Sequence, residues 1–475
     1  MQKKELYSVL LAVITGLIVL NVLFNERWLA VNIFIAFLTC ITLIIFIKKR
    51  FQVKFDFTSL LFYLSFVVFL NVQQKTLFTS FVTADPITWI KMSIRGFILI
   101  VFIILLVKMK EKKMLYDKPT FYFLLFAFLA CISAIYSHMP VYSLSRGVEL
   151  LSFIIMSIVI VKKTNYIQEG LSLLYFALSL LIVIIWVIYL IEPSYVLKPR
   201  YGPQGPTFHA LGGKIIDPNM LAVIAGILFI PVVNTILNKR KTIRQNIIYY
   251  YGFAIILSFT LFKTAGRGAI LGTLFASIFI FLGSREKKAI RIFSLLCILA
   301  PLVFLIGSLY WASIFEFALK GDSIDSVVSL TGRLTVWKDL LQFVFPKSPL
   351  IGVGYQMMDT DGIIFKTSEG FTITMAHNSF IQVLIGLGLF GLLILLLSLF
   401  FLFNKIFKNY LLEDNFNRYY FLEMVAILII IMFDCFIDYG IGGLNTPVII
   451  VYSIIISIVS KYDISRKTYP RRELT

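Results

Sequence analysis

Charge is scarce in this sequence. Only 15% of its 475 residues are charged, while 59% are hydrophobic. A soluble domain carries roughly 25% charged and 45–50% apolar residues, so a water-soluble globular enzyme is excluded. Disorder is excluded as well, because apolar residues are too abundant. Cysteine is almost missing. Cys40, Cys131, Cys297 and Cys435 all fall inside apolar runs, with no C-x-x-C spacing, so neither a disulfide framework nor a cysteine metal cluster is implied. Histidine occurs only at His138, His209 and His377. No P-loop, H-E-x-x-H or G-x-S-x-G pattern is found. Gly352-Val353-Gly354 lacks the third glycine and the strand context of a dinucleotide fingerprint. Asp359-Thr360-Asp361 resembles a metal-binding D-x-D, but Gly362 follows it and an acidic turn reads better.

What is present is long apolar runs. A helix crosses a bilayer with about 20 mainly apolar residues. The runs predict fourteen spans, at 6–24, 28–47, 57–72, 89–107, 119–136, 148–161, 170–191, 218–237, 247–262, 269–283, 292–310, 380–403, 419–437 and 447–459. The short ones are expected to extend into polar flanks or to be broken. The expected fold is all-α and polytopic. Segments 192–217 and 311–379 are long outer connections, the second with short amphipathic helices.

The net charge is +19, from 44 Lys and Arg against 25 Asp and Glu. With the N-terminus inside, the short inner connections and the tail 460–475 hold 29 of those 44. This is the positive-inside pattern, so the excess orients the chain, with both termini cytoplasmic. It does not indicate nucleic acid, because no basic soluble domain exists to bind one.

The remaining positives need another reason. Lys198, Arg200 and Lys214 lie in the first outer segment, Lys263 and Arg267 in a short turn, and Lys320, Arg333, Lys338, Lys347 and Lys366 in the second. Solvation in wet loops is one reading. An anionic ligand at the outer surface is the other, since a guanidinium matches phosphate oxygens bidentately. Arg267 stands out. It lies between Gly266 and Gly268, which allow close approach of a ligand, and it opens a helix whose first amides favour an anion. Leu334, Trp337, Leu340, Leu341 and Val344 recur at helical spacing, which predicts an amphipathic helix behind Arg333 with a Trp suited to the interface. His377 precedes Asn378 and Ser379, either of which can cap the next span, and a histidine there can act as a base near neutral pH.

These pieces in order, Asp217-Pro218-Asn219, Gly266-Arg267-Gly268, Gly332-Arg333 with Trp337, Pro349 to Gly354, and His377-Asn378-Ser379-Phe380 before Gly386-Leu387-Gly388, resemble the O-antigen ligase / O-antigen polymerase superfamily of bacterial envelope enzymes. The resemblance covers roughly 200–450. It divides the chain into N-terminal helices 1–200, a ligase/polymerase-like core 201–459 with outer loop 311–379, and a basic tail 460–475. It implies a fold related to C-type glycosyltransferases in the cytoplasmic membrane of a bacterium. The donor would be an oligosaccharide on undecaprenyl pyrophosphate at the outer face. The acceptor would be a glycan or glycolipid hydroxyl, with the lipid bilayer and other polysaccharide-assembly proteins as further partners. No metal and no cofactor are implied. Arg267 and His377 would be catalytic, as pyrophosphate ligand and as base. Arg333, Arg200, Lys214, Lys263, Asn378 and Asn219 would bind substrate. Polymerase is favoured, with ligase as the alternative. A lipid-linked oligosaccharide flippase is the competing class, and it would place its cations within the spans.

Overall fold

The computed structural model describes residues 62, 86–108, 113–202, 205–213, 215–237, 242–283, 333–357, 376–412, 415–438, 440–443 and 446–462. Among them the main helices are α1 (Pro86–Lys108), α2 (Lys118–Ile132), α3 (Pro140–Lys163), α4 (Ile167–Ile191), α5 (Pro218–Leu237), α6 (Thr242–Thr264), α7 (Arg267–Gly283), α8 (Arg333–Asp339), α9 (Ser379–Leu412), α10 (Asn415–Ile437) and α11 (Thr446–Lys461). Six helical stretches are long and apolar enough to cross a membrane, and three shorter apolar helices accompany them. The chain is a multi-pass, mostly helical membrane protein.

The predicted runs 89–107 to 269–283 and 380–403 to 447–459 each coincide with one helix, but several helices are longer than the apolar run that marks them. Run 148–161 grows into Pro140–Lys163 because polar side chains find partners inside the helix. Arg146 Nη1 lies 2.9 Å from Glu149 Oε2, one turn away. Runs 6–24, 28–47 and 292–310, nearly all of 57–72, and the tail beyond Tyr462 lie outside the described residues. So do Asp359-Thr360-Asp361 and most of loop 311–379.

The mostly helical structure is consistent with the expected all-α chain, with one local exception. Within 192–217, strands β1 (Leu197–Gly202) and β2 (Gly205–Leu211) form an antiparallel hairpin, with Leu197 opposite Leu211 and a register shift between Arg200 and Tyr201. Pro199, Pro203 and Pro206 deny this stretch a continuous helix. Lys198 Nζ reaches Asp217 Oδ2 at 3.5 Å and ties the hairpin to the start of α5.

The helices share two ends. One gathers the basic connections. Lys405 Nζ meets Asp117 Oδ1 at 2.5 Å, and Ser460 Oγ donates to Asp117 Oδ2 at 2.6 Å. Lys461 Nζ donates to the carbonyls of Val161 and Lys162, at 3.0 and 2.7 Å. The other end gathers the hairpin, the α6–α7 turn, segment 333–357 and the starts of α5 and α9.

The two glycine pairs in the sequence interlock at this second end. Helix α9 breaks at Gly388 (φ 66°, ψ −166°), so the amides of Leu389 and Phe390 lose the carbonyls of Ile385 and Gly386. The loop supplies replacements. Leu389 and Phe390 donate to the carbonyls of Pro349 and Leu350, at 2.8 and 3.2 Å, while Val353 and Gly354 donate to those of Ile385 and Gly386, at 3.0 and 2.9 Å. Four backbone bonds therefore restore what the kink removes. A Cβ on Gly388 would come within 2.3 Å of the Leu350 carbonyl, and one on Gly352 within 2.4 Å of that of Gly386. Gly388→Ala is expected to destabilise the fold by on the order of 3 kcal/mol. The thermal midpoint in detergent reads this, and an unchanged midpoint would contradict it.

Candidate functional site

The site is built on the C-terminal end of α10. Asp438, just past the helix, is only 4% exposed. A buried carboxylate is costly unless paired and hydrogen-bonded. Here both oxygens are engaged: Asn219 Nδ2 donates to Oδ2 at 2.7 Å, and His377 Nδ1 lies 3.2 Å from Oδ1. The carbonyl of the preceding Ile437 accepts from Arg333 Nη1 at 2.5 Å. Cations are favoured at a helix C-terminus, which adds to that contact.

Each partner arrives by simple local chemistry. Asn219 is placed by the start of α5, where Asp217 Oδ1 accepts the Asn219 amide at 2.8 Å and Pro218 takes the first helical position. His377 is placed by the start of α9. Asn378 caps that helix through Oδ1, which accepts the amides of Phe380 and Ile381 at 3.0 and 3.1 Å. Its Nδ2 donates to the carbonyl of Phe436 at 3.2 Å. His377 itself has φ 48°, a left-handed conformation that is uncommon for a residue with a side chain.

Arg267 is the first residue of α7, which packs along both α5 and α10. Gly266 and Gly268 set its position. A Cβ on Gly266 would fall 2.5 Å from Ala222 Cβ and 3.8 Å from Asn219 Cα, and one on Gly268 would lie 3.1 Å from Ile437 Cδ1. The two glycines thus press the turn between the start of α5 and the end of α10, and the exposed Arg267 rises from that seam. Arg333, His377 and Asn219 therefore meet at Ile437 and Asp438, and the turn that bears Arg267 packs beside Asn219 and Ile437.

Among the other expected site residues, Asn378 serves the fold. Asn378 is 6% exposed, and its amide is used within the fold as cap and tie. Lys263 is half-buried in the last turn of α6, four residues before Arg267. Arg200 stands in β1 opposite Phe208, with its side chain outside the described residues. Lys214 lies outside them altogether. Among the described residues no group of three His, Cys, Asp or Glu could hold a metal ion.

Two features are not apparent in the sequence. Asp438 is one, lying a residue beyond an apolar run. An acid at the edge of a membrane helix is itself a signal, but only the fold brings Asn219 and His377 to it. Trp337 is the other. It is not exposed at an interface but buried, and its indole Nε1 donates to the Ala376 carbonyl at 2.5 Å. Its chain neighbours Val336, Leu340 and Val344 pack in a small cluster with Ala376 and Ile385.

Chemically, the arrangement offers a histidine held against a carboxylate, with the Arg333 guanidinium on the adjacent carbonyl and Arg267 on the neighbouring turn. A neutral imidazole that donates from Nδ1 to Asp438 has Nε2 as its acceptor nitrogen. The His377 side chain is 36% exposed, enough for a substrate to reach it. Tyr136 and Tyr355 flank the loop at this end. Burial pushes both phenols up to about 12, so they stay neutral and do not compete as bases. Tyr136 donates instead to the Ile351 carbonyl, at 2.6 Å.

Residues 252–396 match the family described as O-antigen ligase. The matched segment carries Arg267, Arg333 and His377, while Asn219 and Asp438 lie on either side of it. The resemblance to the O-antigen ligase/polymerase superfamily is borne out over this segment, and with it a membrane, glycan-handling, glycosyltransferase-like role. No curated protein matches the sequence.

Proposed function

We propose that this protein is a membrane glycosyltransferase that moves glycan repeat units from undecaprenyl pyrophosphate to an acceptor hydroxyl, outside the cytoplasmic membrane. The observation that carries this reading is the convergence of Arg333 on Ile437 and of His377 on Asp438 at the end of α10, with the turn that bears Arg267 packed beside them.

The proposed step balances without a cofactor. The acceptor oxygen attacks the anomeric carbon of the donor sugar and forms the new glycosidic bond. The bond from that carbon to the pyrophosphate oxygen breaks. The hydroxyl proton passes to His377 Nε2, and the Asp438 carboxylate stabilises the imidazolium. Negative charge gathers on the departing pyrophosphate, where Arg267 and Arg333 stand as fixed cations. Such preorganised charge acts most strongly where water is scarce. Asn219 and Asn378 serve as positioning residues in this reading, since their amides are turned into the fold. Lys263, Arg200 and Lys214 are assigned as basic contacts for the donor or acceptor.

Orientation is set by charge. The end opposite the site holds the inner connections, whose lysines fit the positive-inside rule, and the site then faces outward. Polymerisation is the favoured outcome. Transfer of a finished glycan to a different acceptor uses the same donor and residues, and the description of the matched family supports it as the second reading.

Purified protein incubated with lipid-linked repeat units tests the proposal. Longer lipid-linked chains indicate a polymerase, and transfer to an added glycolipid indicates a ligase. Folded protein that forms no glycosidic bond in either assay overturns the reading. Within this mechanism, Asp438→Asn leaves a side chain of the same shape but no charge. Turnover is expected to fall by between about 10²- and 10⁴-fold, the effect of losing a base-orienting carboxylate. Single-turnover kinetics measure it, and a loss under twofold would remove Asp438 from the mechanism.

A further inference from the structure

Trp337 lies four residues after Arg333, one helical turn along, so the two side chains leave the same side of the helix. Trp337 is 7% exposed. A buried indole N–H needs an acceptor, and here the acceptor is the carbonyl of Ala376, the residue directly before His377. The Ala376 amide is held as well, donating to Gln382 Oε1 at 3.1 Å. Gln382 is braced in turn. Its Nε2 donates to Gln356 Oε1 at 3.3 Å, and Gln356 Nε2 donates to the Gly442 carbonyl at 2.7 Å. Both polar backbone groups of Ala376 are thus fixed by side chains.

This bracing bears directly on His377, the next residue. Its left-handed backbone (φ 48°) persists only where the surroundings hold it. The contacts also close a ring. From Arg333 it runs along α8 to Trp337, across to Ala376 and His377, through Asp438 to Ile437, and back to Arg333. Segment 333–339 is a short helix, and this ring and the small apolar cluster of Leu340, Val344, Ala376 and Ile385 tie it to the base.

We propose that Trp337 is a positioning residue which, through the Ala376 carbonyl, sets Arg333 and His377 as one unit. Cation and base are then held at a fixed spacing, and displacement of the outer helix displaces the imidazole too. The inference rests on the assignment of His377 as base and Arg333 as pyrophosphate contact.

The test is Trp337→Phe, which keeps an aromatic ring and removes the N–H. Two readings are taken on folded, detergent-purified protein. One is kcat and KM for the lipid-linked donor. The other is the rate at which diethyl pyrocarbonate modifies His377, measured by mass spectrometry on its peptide, with His138 and His209 as internal references. A fall in kcat of about 10-fold or more is expected, as misplacement of a reacting group produces, while KM changes little. The modification rate of His377 relative to the references is expected to rise several-fold. A purely structural tryptophan would lower the yield of folded protein and leave both readings per folded molecule unchanged, and that result overturns the proposal. If Trp337→Phe does not fold, Gln382→Met releases the other side of Ala376 and must give the same pattern. The modification assay needs no turnover. If the wild-type protein itself has no transferase activity, a raised His377 rate in Trp337→Phe overturns the functional reading and keeps the positioning role, while normal variant activity with an unchanged rate does the reverse.

Discussion

Arg267→Ala is expected to abolish glycan transfer while leaving the protein inserted and folded. The leaving group in the proposed step is a pyrophosphate, and its departure concentrates negative charge on its oxygens. Removing one preorganised donor to such charge typically costs about 10²–10³-fold, and removing an arginine from a transferring phosphate about 10³–10⁵-fold. A loss of about 10³-fold or more is therefore expected. Folding should survive. Arg267 is exposed in the first turn of α7, where alanine is a good helix former, and the packing of the turn comes from Gly266 and Gly268. Arg267→Lys keeps the charge and loses the planar fork, so it should recover part of the activity. The measurement is product formed per folded molecule. Wild-type turnover in the alanine variant would remove Arg267 from the mechanism.

His377→Ala should cost about 10²–10⁴-fold, the usual contribution of a positioned base. The left-handed backbone at this position complicates that variant, because alanine is poorly suited to φ 48°. His377→Asn separates the two effects. Asparagine tolerates this region and cannot serve as a base, so it should keep the start of α9 intact and lose the same activity. If the asparagine variant turned over like wild type, His377 would be a residue of the helix start alone.

The helices were legible because long apolar runs leave a chain little else to do in a bilayer. Their ends were not, because polar residues enter the spans wherever the fold supplies partners. Arg146 with Glu149 in α3, and Lys405 with Asp117 between α9 and α2, are examples. The hairpin at 197–211 was hidden for a different reason. Its strands are rich in proline and glycine and carry no clean alternation. The interlock of Gly352 with Gly386 and of Gly388 with Leu350 joins segments more than thirty residues apart, so only the fold reveals why those glycines are needed. The candidate site divides in the same way. Arg267 and His377 announced themselves by their neighbours in the chain, a glycine on each side of one and a helix cap after the other. Asp438 did not, since its meaning comes from Asn219 and His377, which reach it across the bundle. Trp337 was misread because amphipathic spacing identifies a packed face without saying what it packs against. Its partner is the backbone before the base.

The central claim is transfer from a lipid pyrophosphate at the Arg267–Arg333–His377 site. The most direct measurement places purified protein in lipid nanodiscs with lipid-linked repeat units and counts undecaprenyl pyrophosphate released against glycosidic bonds formed. One released lipid per bond is expected for the wild type, with both falling together in Arg267→Ala and His377→Asn. Wild-type release in both variants, or bonds formed with no release of lipid pyrophosphate, would contradict the account.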